Sequence, residues 1–252
     1  MTGETKYTAG CPFGKDILAA ILLALRYGEP LHEAVYCEVM FDDAISGEVP
    51  EHRDFIYGRG IPFLKENGIP VRIVHAEMTF TKSFYRVLKR GANIGKLNSW
   101  PLCGRCCIQR DCKLSALRAY QKELGPNARQ YVGIAADEPE RLQRLDRTRY
   151  ESLLEKYGVT EYDAAQMCKK AGLYSPVYTF TDRNGCFFCP NAKMRELRHL
   201  YDHHPDLWQR LLDCQSATNK ATERFNRAYR IDELDQRFRY EDQQLSLFGS
   251  AA

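Results

Sequence analysis

Six of the ten cysteines stand in two short stretches, Cys103-Gly-Arg-Cys106-Cys107 with Cys112 just beyond, and Cys186-Phe-Phe-Cys189-Pro190. A two-residue gap lets both thiolates of a Cys-x-x-Cys turn reach a single metal ion or cluster. The two stretches therefore read as halves of one site. Two chemistries fit this pattern: a closed tetrahedral zinc site of Cys103, Cys106, Cys186 and Cys189, or an iron-sulfur cluster held by four thiolates. Cysteines that cluster rather than spread argue against an extracellular disulfide framework and for metal or redox chemistry in a reducing compartment. A second stretch with chemical potential is Gly10-Cys11-Pro12-Phe13-Gly14-Lys15-Asp16. It lies between a short extended segment and an apolar helix from about Ile17 to Arg26. The backbone N–H groups of such a turn can hold a phosphate, with Gly14 opening the loop and Lys15 adding a point charge.

The elements that must position these residues follow from composition and pattern. A chain of 252 residues, 44% of them hydrophobic, fits one α/β domain or such a domain with a helical appendage. The net charge of +3 is too small to dictate a nucleic-acid partner, and both signs are interspersed. Arg141 to Arg149 carries four arginines, a run that usually forms a solvated face. The longest apolar run, Ile17 to Leu25, is far too short to span a bilayer. No basic-then-apolar segment opens the chain, so a cytoplasmic location without membrane association is expected.

Ala34 to Phe41 reads as a second strand ending in Asp42-Asp43, and Pro50 to Asn67 as a helix stopped by Gly68-Ile69-Pro70. Val71 to His75 reads as a third strand and Gln130 to Ala135 as a fourth. Strands alternating with helices predict a parallel, Rossmann-like α/β sheet with ligands beyond the carboxyl ends of its strands. The turn after strand one and the charged segment after strand four, with Asp137, Glu138 and Arg141, should then share one crevice. Asp137 fits equally well as the cap of a helix with Pro139 in its first turn. Further helices are expected over Glu151 to Tyr157, Glu161 to Ala171, Met194 to His203, Pro205 to Cys214, Ala217 to Tyr229 and Ile231 to Phe238. The division this suggests is a nucleotide-binding α/β body over 1–150, a helical region over 151–240 that completes the cysteine site, and a tail over 241–252.

Together, the loop with Gly-Lys-Asp, the stretch Gly133-Ile134-Ala135-Ala136-Asp137-Glu138-Pro139-Glu140-Arg141 and Gly185-Cys186-Phe187-Phe188-Cys189-Pro190 resemble the phosphoadenosine phosphosulfate reductase-like branch of the adenine nucleotide alpha-hydrolase (PP-loop) superfamily. Cys106-Cys107-Ile108-Gln109-Arg110-Asp111-Cys112-Lys113 is similar to iron-sulfur members of that branch, among them adenylylsulfate reductases and DNA phosphorothioation enzymes. The resemblance implies ATP or a sulfonucleotide bound by Gly14, Lys15, Asp16, Gly133, Asp137, Glu138 and Arg141, with magnesium as a further expectation at Asp16. It implies a 4Fe-4S cluster on Cys106, Cys112, Cys186 and Cys189, with Cys103 and Cys107 as fallback ligands and zinc as the competing metal. The activity implied is ATP-dependent sulfur transfer or modification of a nucleic acid, DNA or tRNA. The alternatives are a sulfonucleotide reductase or a non-catalytic nucleotide sensor. Two departures from the family pattern stand out. The usual Ser-Gly-Gly-x-Asp-Ser loop keeps only Gly, Lys and Asp here, and Cys214 lies in Asp213-Cys214-Gln215 rather than in a Glu-Cys-Gly-x-His motif.

Near the C-terminus, Gln244-Leu245-Ser246-Leu247-Phe248 looks like the short peptide with which bacterial DNA-processing proteins dock on the β sliding clamp. Gln244, Leu245, Leu247 and Phe248 would be its contact residues, apolar anchors on a flexible tail that fill a partner's groove.

Overall fold

The computed structural model describes residues 5–101 and 106–249, with side chains up to 244; Cys103 falls outside these residues. In chain order the elements are β1 (Tyr7–Gly10), α1 (Lys15–Tyr27), β2 (Glu33–Cys37), α2 (Pro50–Phe55), α3 (Ile61–Glu66), β3 (Val71–Val74) and α4 (Phe80–Phe84). They continue with α5 (Ser115–Leu124), β4 (Arg129–Tyr131), α6 (Pro139–Gln143), β5 (Tyr150–Glu151), α7 (Leu153–Lys156) and α8 (Glu161–Lys170). The last three are α9 (Met194–His203), α10 (Pro205–Ser216) and α11 (Ile231–Gly249). Short π-helical segments at Ile56–Gly60 and Gln109–Leu114 precede α3 and α5.

Residues 1–39, 48–77 and 113–184 form one compact unit, and residues 40–47, 78–112 and 185–252 form a second, so the units interleave along the chain. The first unit is built on a five-stranded sheet of order β3-β2-β1-β4-β5, every pair parallel. Strand order reverses between β1 and β4, and such a reversal opens a crevice at the carboxyl ends. Helix α1 supplies the core of this unit. Its Ile17, Leu18, Ile21 and Leu23 are at most 3% exposed and pack with Ala9, Tyr36, Leu153, Leu154 and Leu173. Burial of each such side chain contributes about 1.5–3 kcal/mol. The helix ends at Gly28, whose left-handed φ of 68° lets its N–H reach back to the Ala24 carbonyl.

The second unit holds α4, α9, α10 and α11 around aromatic side chains. Phe41, Phe80, Phe84, Trp100, Phe187, Phe188 and Phe225 are all buried. Tyr201, Trp208 and Phe238 form a second group, in which the Trp208 indole N–H donates to Asp235 at 2.9 Å.

The fold is thus the expected α/β class, a parallel sheet followed by C-terminal helices, and three local departures have physical causes. The helix expected over Ala217 to Tyr229 is absent among the described residues. Asn219 adopts a left-handed φ of 56°, and the Asn226 carboxamide accepts from the N–H groups of Ala228 and Tyr229, a turn that competes with helix. Strand β5 falls where a helix was expected to begin, because a two-residue strand leaves no period to read. The last helix does not stop at Phe238 but runs to Gly249. Neither glycine nor proline interrupts it, and i,i+4 pairs of Arg239 with Asp235 and of Arg237 with Glu241 support it. The backbone at Leu245, Leu247 and Phe248 is therefore helical.

Candidate functional site

The first unit's crevice begins at the exit of β1. Gly14 is the N-cap residue of α1, and Lys15 and Asp16 open the helix. The Lys15 side chain is 11% exposed, and its ammonium donates to Asp16 Oδ1 at 2.9 Å and to Glu161 Oε1 at 2.6 Å. Burial works against the Lys15 charge, but its hydrogen bonds to Glu161 and Asp16 outweigh it and the ammonium pKa rises. Asp16 is shifted upward chiefly by burial. Lys15 opposes that shift, while the nearby carboxylates of Glu161 and Glu138 add to it. The backbone N–H of Lys15 donates to the Tyr178 hydroxyl at 3.1 Å. A Cβ on Gly14 would sit 3.2 Å from the Asn184 amide oxygen and 3.5 Å from the same hydroxyl. Asn184 Nδ2 and His52 Nε2 both lie on the Pro12 carbonyl, at 3.0 and 3.1 Å. The Tyr178 hydroxyl thus occupies the Lys15 N–H, which would otherwise face an anion.

Across the strand reversal, Gly133 lets β4's exit pass the first turn of α1. A Cβ there would fall 2.6 Å from the Ile17 nitrogen and 2.9 Å from the Asp16 carbonyl carbon. Glu138 accepts the Ala135 N–H at 3.0 Å through one oxygen and pairs with Arg141 through the other. The Asp137 carboxylate accepts the first N–H of α8, from Glu161, at 2.9 Å. This agrees with a capping role for Asp137, at α8 rather than at the helix that follows it. Asp16, Glu138, Glu161 and Lys15 thus meet at the strand reversal, while Asp137 is occupied at a helix end.

A polar cluster at β2 and β3 went unread in the sequence. Glu38 follows β2, its side chain 4% exposed, and accepts from Arg53 Nε at 3.0 Å and the Tyr57 hydroxyl at 2.7 Å. His75, which follows β3, lies 3.3 Å from Glu38. The available signal was a charged residue directly after an apolar strand, Ala34-Val35-Tyr36-Cys37-Glu38.

The second unit brings the two cysteine stretches together. Its boundaries fall immediately after Cys112 and immediately before Cys186, so Cys106, Cys107, Cys112, Cys186 and Cys189 all belong to it. None of the five is in a disulfide. The Cys186 turn closes through a 3.0 Å bond from the Cys189 N–H to the Cys186 carbonyl, and the Phe187 N–H donates to Gly47 O at 2.9 Å. Phe187 and Phe188, the two residues between the thiols, point into the aromatic core at 3% and 1% exposure. Phe188 stacks on Phe80 with ring centroids 4.2 Å apart, and Phe80 lies 6.0 Å from Trp100, the buried residue just upstream of the first stretch. Stacked rings therefore tie the second knot to the approach to the first. Cys112 sits on the π-helical turn Gln109–Leu114 and is 1% exposed, while Cys106, Cys107, Cys186 and Cys189 are half-buried. π-helical turns recur at functional positions.

A set of unoxidised thiols gathered against a dry aromatic wall fits a thiolate-held group. Among the described residues, no three of these thiols have sulfur atoms all within 4.8 Å of one another.

The remaining thiols differ. Burial pushes Cys11 and Cys168 up to about 12, and Cys37 and Cys214 up to about 11. Cys214 is 2% exposed and lies beside the Tyr85 hydroxyl. A buried thiol that stays protonated at neutral pH is poorly suited to act as a reductase nucleophile.

No protein-family model matches the chain, and no curated protein matches it in sequence. Among solved structures, the U34-tRNA thiolase NcsA from Methanococcus maripaludis, with its 4Fe-4S cluster, is similar at 16% identity over 82% of this chain and 67% of that chain, with a TM-score of 0.43. At that distance nothing about substrate or cofactor passes from one chain to the other. Among the described residues no helix is long and apolar enough to cross a membrane.

Proposed function

We propose that the chain is an adenine-nucleotide-hydrolase-like enzyme carrying a cysteine-held iron-sulfur cluster, and that it acts in sulfur transfer to, or modification of, a nucleotide-bearing substrate such as DNA or tRNA. The observation behind this reading is that two cysteine stretches far apart in sequence belong to one compact unit, linked through Trp100, Phe80 and Phe188. Cys106, Cys112, Cys186 and Cys189 would hold the group, with Cys107 as fallback. Cys103, the other fallback, lies outside the described residues. A bound cluster supplies charge and a coordination position at which sulfur or substrate can be held. Phe187 and Phe188, buried between the two thiols, would give the group an apolar side on which electrostatic interactions are stronger than in water.

In the α/β unit, Lys15 would turn from Glu161 to a phosphate of ATP or a sulfonucleotide. Asp16 and Glu138 would then be available to a magnesium ion, with Gly133 keeping the crevice floor low and Arg141 at its edge. Asp137 would contribute through the N-terminus of α8. The test is AMP or pyrophosphate release from ATP by anaerobically purified protein supplied with nucleic acid and a sulfide donor. Release that Lys15→Ala abolishes is expected, and no release under any substrate mixture would contradict turnover.

A second reading, a nucleotide sensor without turnover, is favoured by the double pairing of Lys15 and by Tyr178 on the α1 N-terminus. Glu161→Gln separates the two: it frees Lys15 and should tighten ATP binding severalfold in either case, but raises AMP release only in an enzyme. The C-terminal segment with Gln244, Leu245, Leu247 and Phe248 is proposed to dock on the β sliding clamp. A peptide spanning 240–249 should compete with the full chain for the clamp, and failure to compete would remove that partner.

A further inference from the structure

Parallel sheets are normally apolar on both faces because helices cover both. Here the face of β1, β4 and β5 on the α5 side is polar. The strand register aligns Thr8 with Gln130 and Gln130 with Tyr150, a lateral row across three neighbouring strands. Thr8, on the central strand, is 1% exposed. The opposite face of the same strands is ordinary core, where Tyr7 stacks on Tyr131 and Ala9 packs with α1 residues. The cause is topological. Helix α5 leans towards β2 and β3 through Tyr120 to Glu33 and Arg72 to Glu123. Between β4 and β5 the chain supplies only the five residues of α6. A cavity of about 420 Å³ remains over the polar row.

Its walls are cationic. Arg118 and Lys122, one turn apart on α5, and Arg149, beside β5, line it together with Arg129. Among the described residues no carboxylate lines the cavity, and Arg118, Lys122 and Arg149 make no side-chain ion pair. Arg129 pairs with Glu151 at 3.7 Å, but its Nε is buried without a hydrogen-bond partner. Other arginines of this unit do meet carboxylates, as Arg53 does Glu38 and Arg147 does Glu155. Converging like charges without an anion repel one another, and a bound anion would relieve that cost. On the floor, Gln121 Nε2 donates to Gln130 Oε1 and to the Tyr150 hydroxyl, both at 3.1 Å, a planar polar surface suited to a base or ribose edge.

We propose that this cavity binds a phosphate ester, with Arg118, Lys122 and Arg149 on the phosphate and the Gln121-Gln130-Tyr150 floor under the attached nucleoside. A neighbouring hollow of about 370 Å³ shares Tyr150 but is mixed in charge, with Asp146 beside Arg141 and Arg144, which pair with Glu138 and Glu140. The phosphate is that of a nucleotide, either free or within a single nucleic-acid strand. Thr8, Arg129 and Tyr150 stand at or near the starts of their strands, so this site is distinct from the crevice at the carboxyl ends. It requires neither the cysteine-held group nor Lys15, and it stands or falls separately from the function proposed above.

The test is fluorescence anisotropy of a fluorescein-labelled 12-nucleotide single-stranded DNA with the full chain over a salt series, with AMP as competitor. Arg118→Gln/Lys122→Gln should weaken binding at least tenfold and lower the salt slope by about 1.4, roughly 0.7 per phosphate contact on a single strand. Arg149→Gln should weaken it severalfold. Arg26→Gln/Lys65→Gln, which removes the same charge from exposed positions of the same unit, should change it less than twofold. Thermal melts check that each variant is folded. Displacement by AMP with matching affinity would make the occupant a mononucleotide, and displacement only by unlabelled strand would make it a nucleic acid; both uphold a phosphate site. Binding to neither probe, or an equal loss in the control pair, would overturn it.

Discussion

The chain carries two populations of thiol, and their surroundings differ more than their sequence contexts suggest. Cys11, Cys37, Cys168 and Cys214 are buried at separate places in the chain, Cys11 within electrostatic reach of Cys168, and burial holds them protonated well above neutral pH. Cys106, Cys107, Cys186 and Cys189 are half-buried and share one unit with Cys112. A lone buried thiol behaves as a small apolar side chain, whereas thiols gathered at partial exposure can ionise together on a metal. Exposure therefore sets Cys106, Cys107, Cys186 and Cys189 apart from the packing cysteines, and Cys112, 1% exposed, joins the ligand candidates by its place in the first stretch.

The comparison can be broken most forcefully at the aromatic wall. Phe188→Ala, in the second knot, should cost about 3–5 kcal/mol of stability, as buried Phe truncations do, and should release bound metal; Cys168→Ala should lower the melting temperature by less and leave metal content unchanged. Calorimetry with metal analysis on both variants decides this. Reactivity gives the next contrast. With the metal removed, the knot thiols should react with a chromogenic disulfide within minutes at pH 8. Cys11 and Cys168 should wait for unfolding, because a thiol at about 12 is roughly one part in ten thousand thiolate at that pH. Labelling of all thiols at one rate would erase the distinction.

The smallest effect is in the alkaline stability profile. The buried thiols ionise near 9 when unfolded but stay protonated when folded, so the folded state binds more protons above that pH. Their contribution is complete below pH 9 and is lost as pH rises through 11 to 12. Each thiol adds up to about 1.4 kcal/mol per pH unit to that loss, so Cys11→Ala should flatten the decline measurably between pH 9 and 11.

Much of this was legible in the sequence for physical reasons. The parallel sheet could be read from short apolar runs separated by helical periods, and the cysteine stretches stood out by spacing alone. What escaped has causes as specific. Glu161 closes on Lys15 from a helix 146 residues away, and Tyr178 reaches the Lys15 N–H from farther still; no local pattern encodes such meetings. The polar row of Thr8, Gln130 and Tyr150 exists only through strand register, with β5 itself too short to recognise. Asn219 and Asn226 turned an expected helix into turns through side-chain and backbone choices that hydrophobic spacing does not record.

The central claim is that the two cysteine stretches hold one shared group. The direct test is the iron, sulfide and zinc content and visible absorption of anaerobically purified wild type, Cys112→Ser and Cys189→Ser. A brown protein with about four irons and a shoulder near ~400 nm, lost entirely on substitution in either stretch, is the result expected. A colourless protein, or one in which each substitution removes only half of the bound metal, would contradict a single shared cluster.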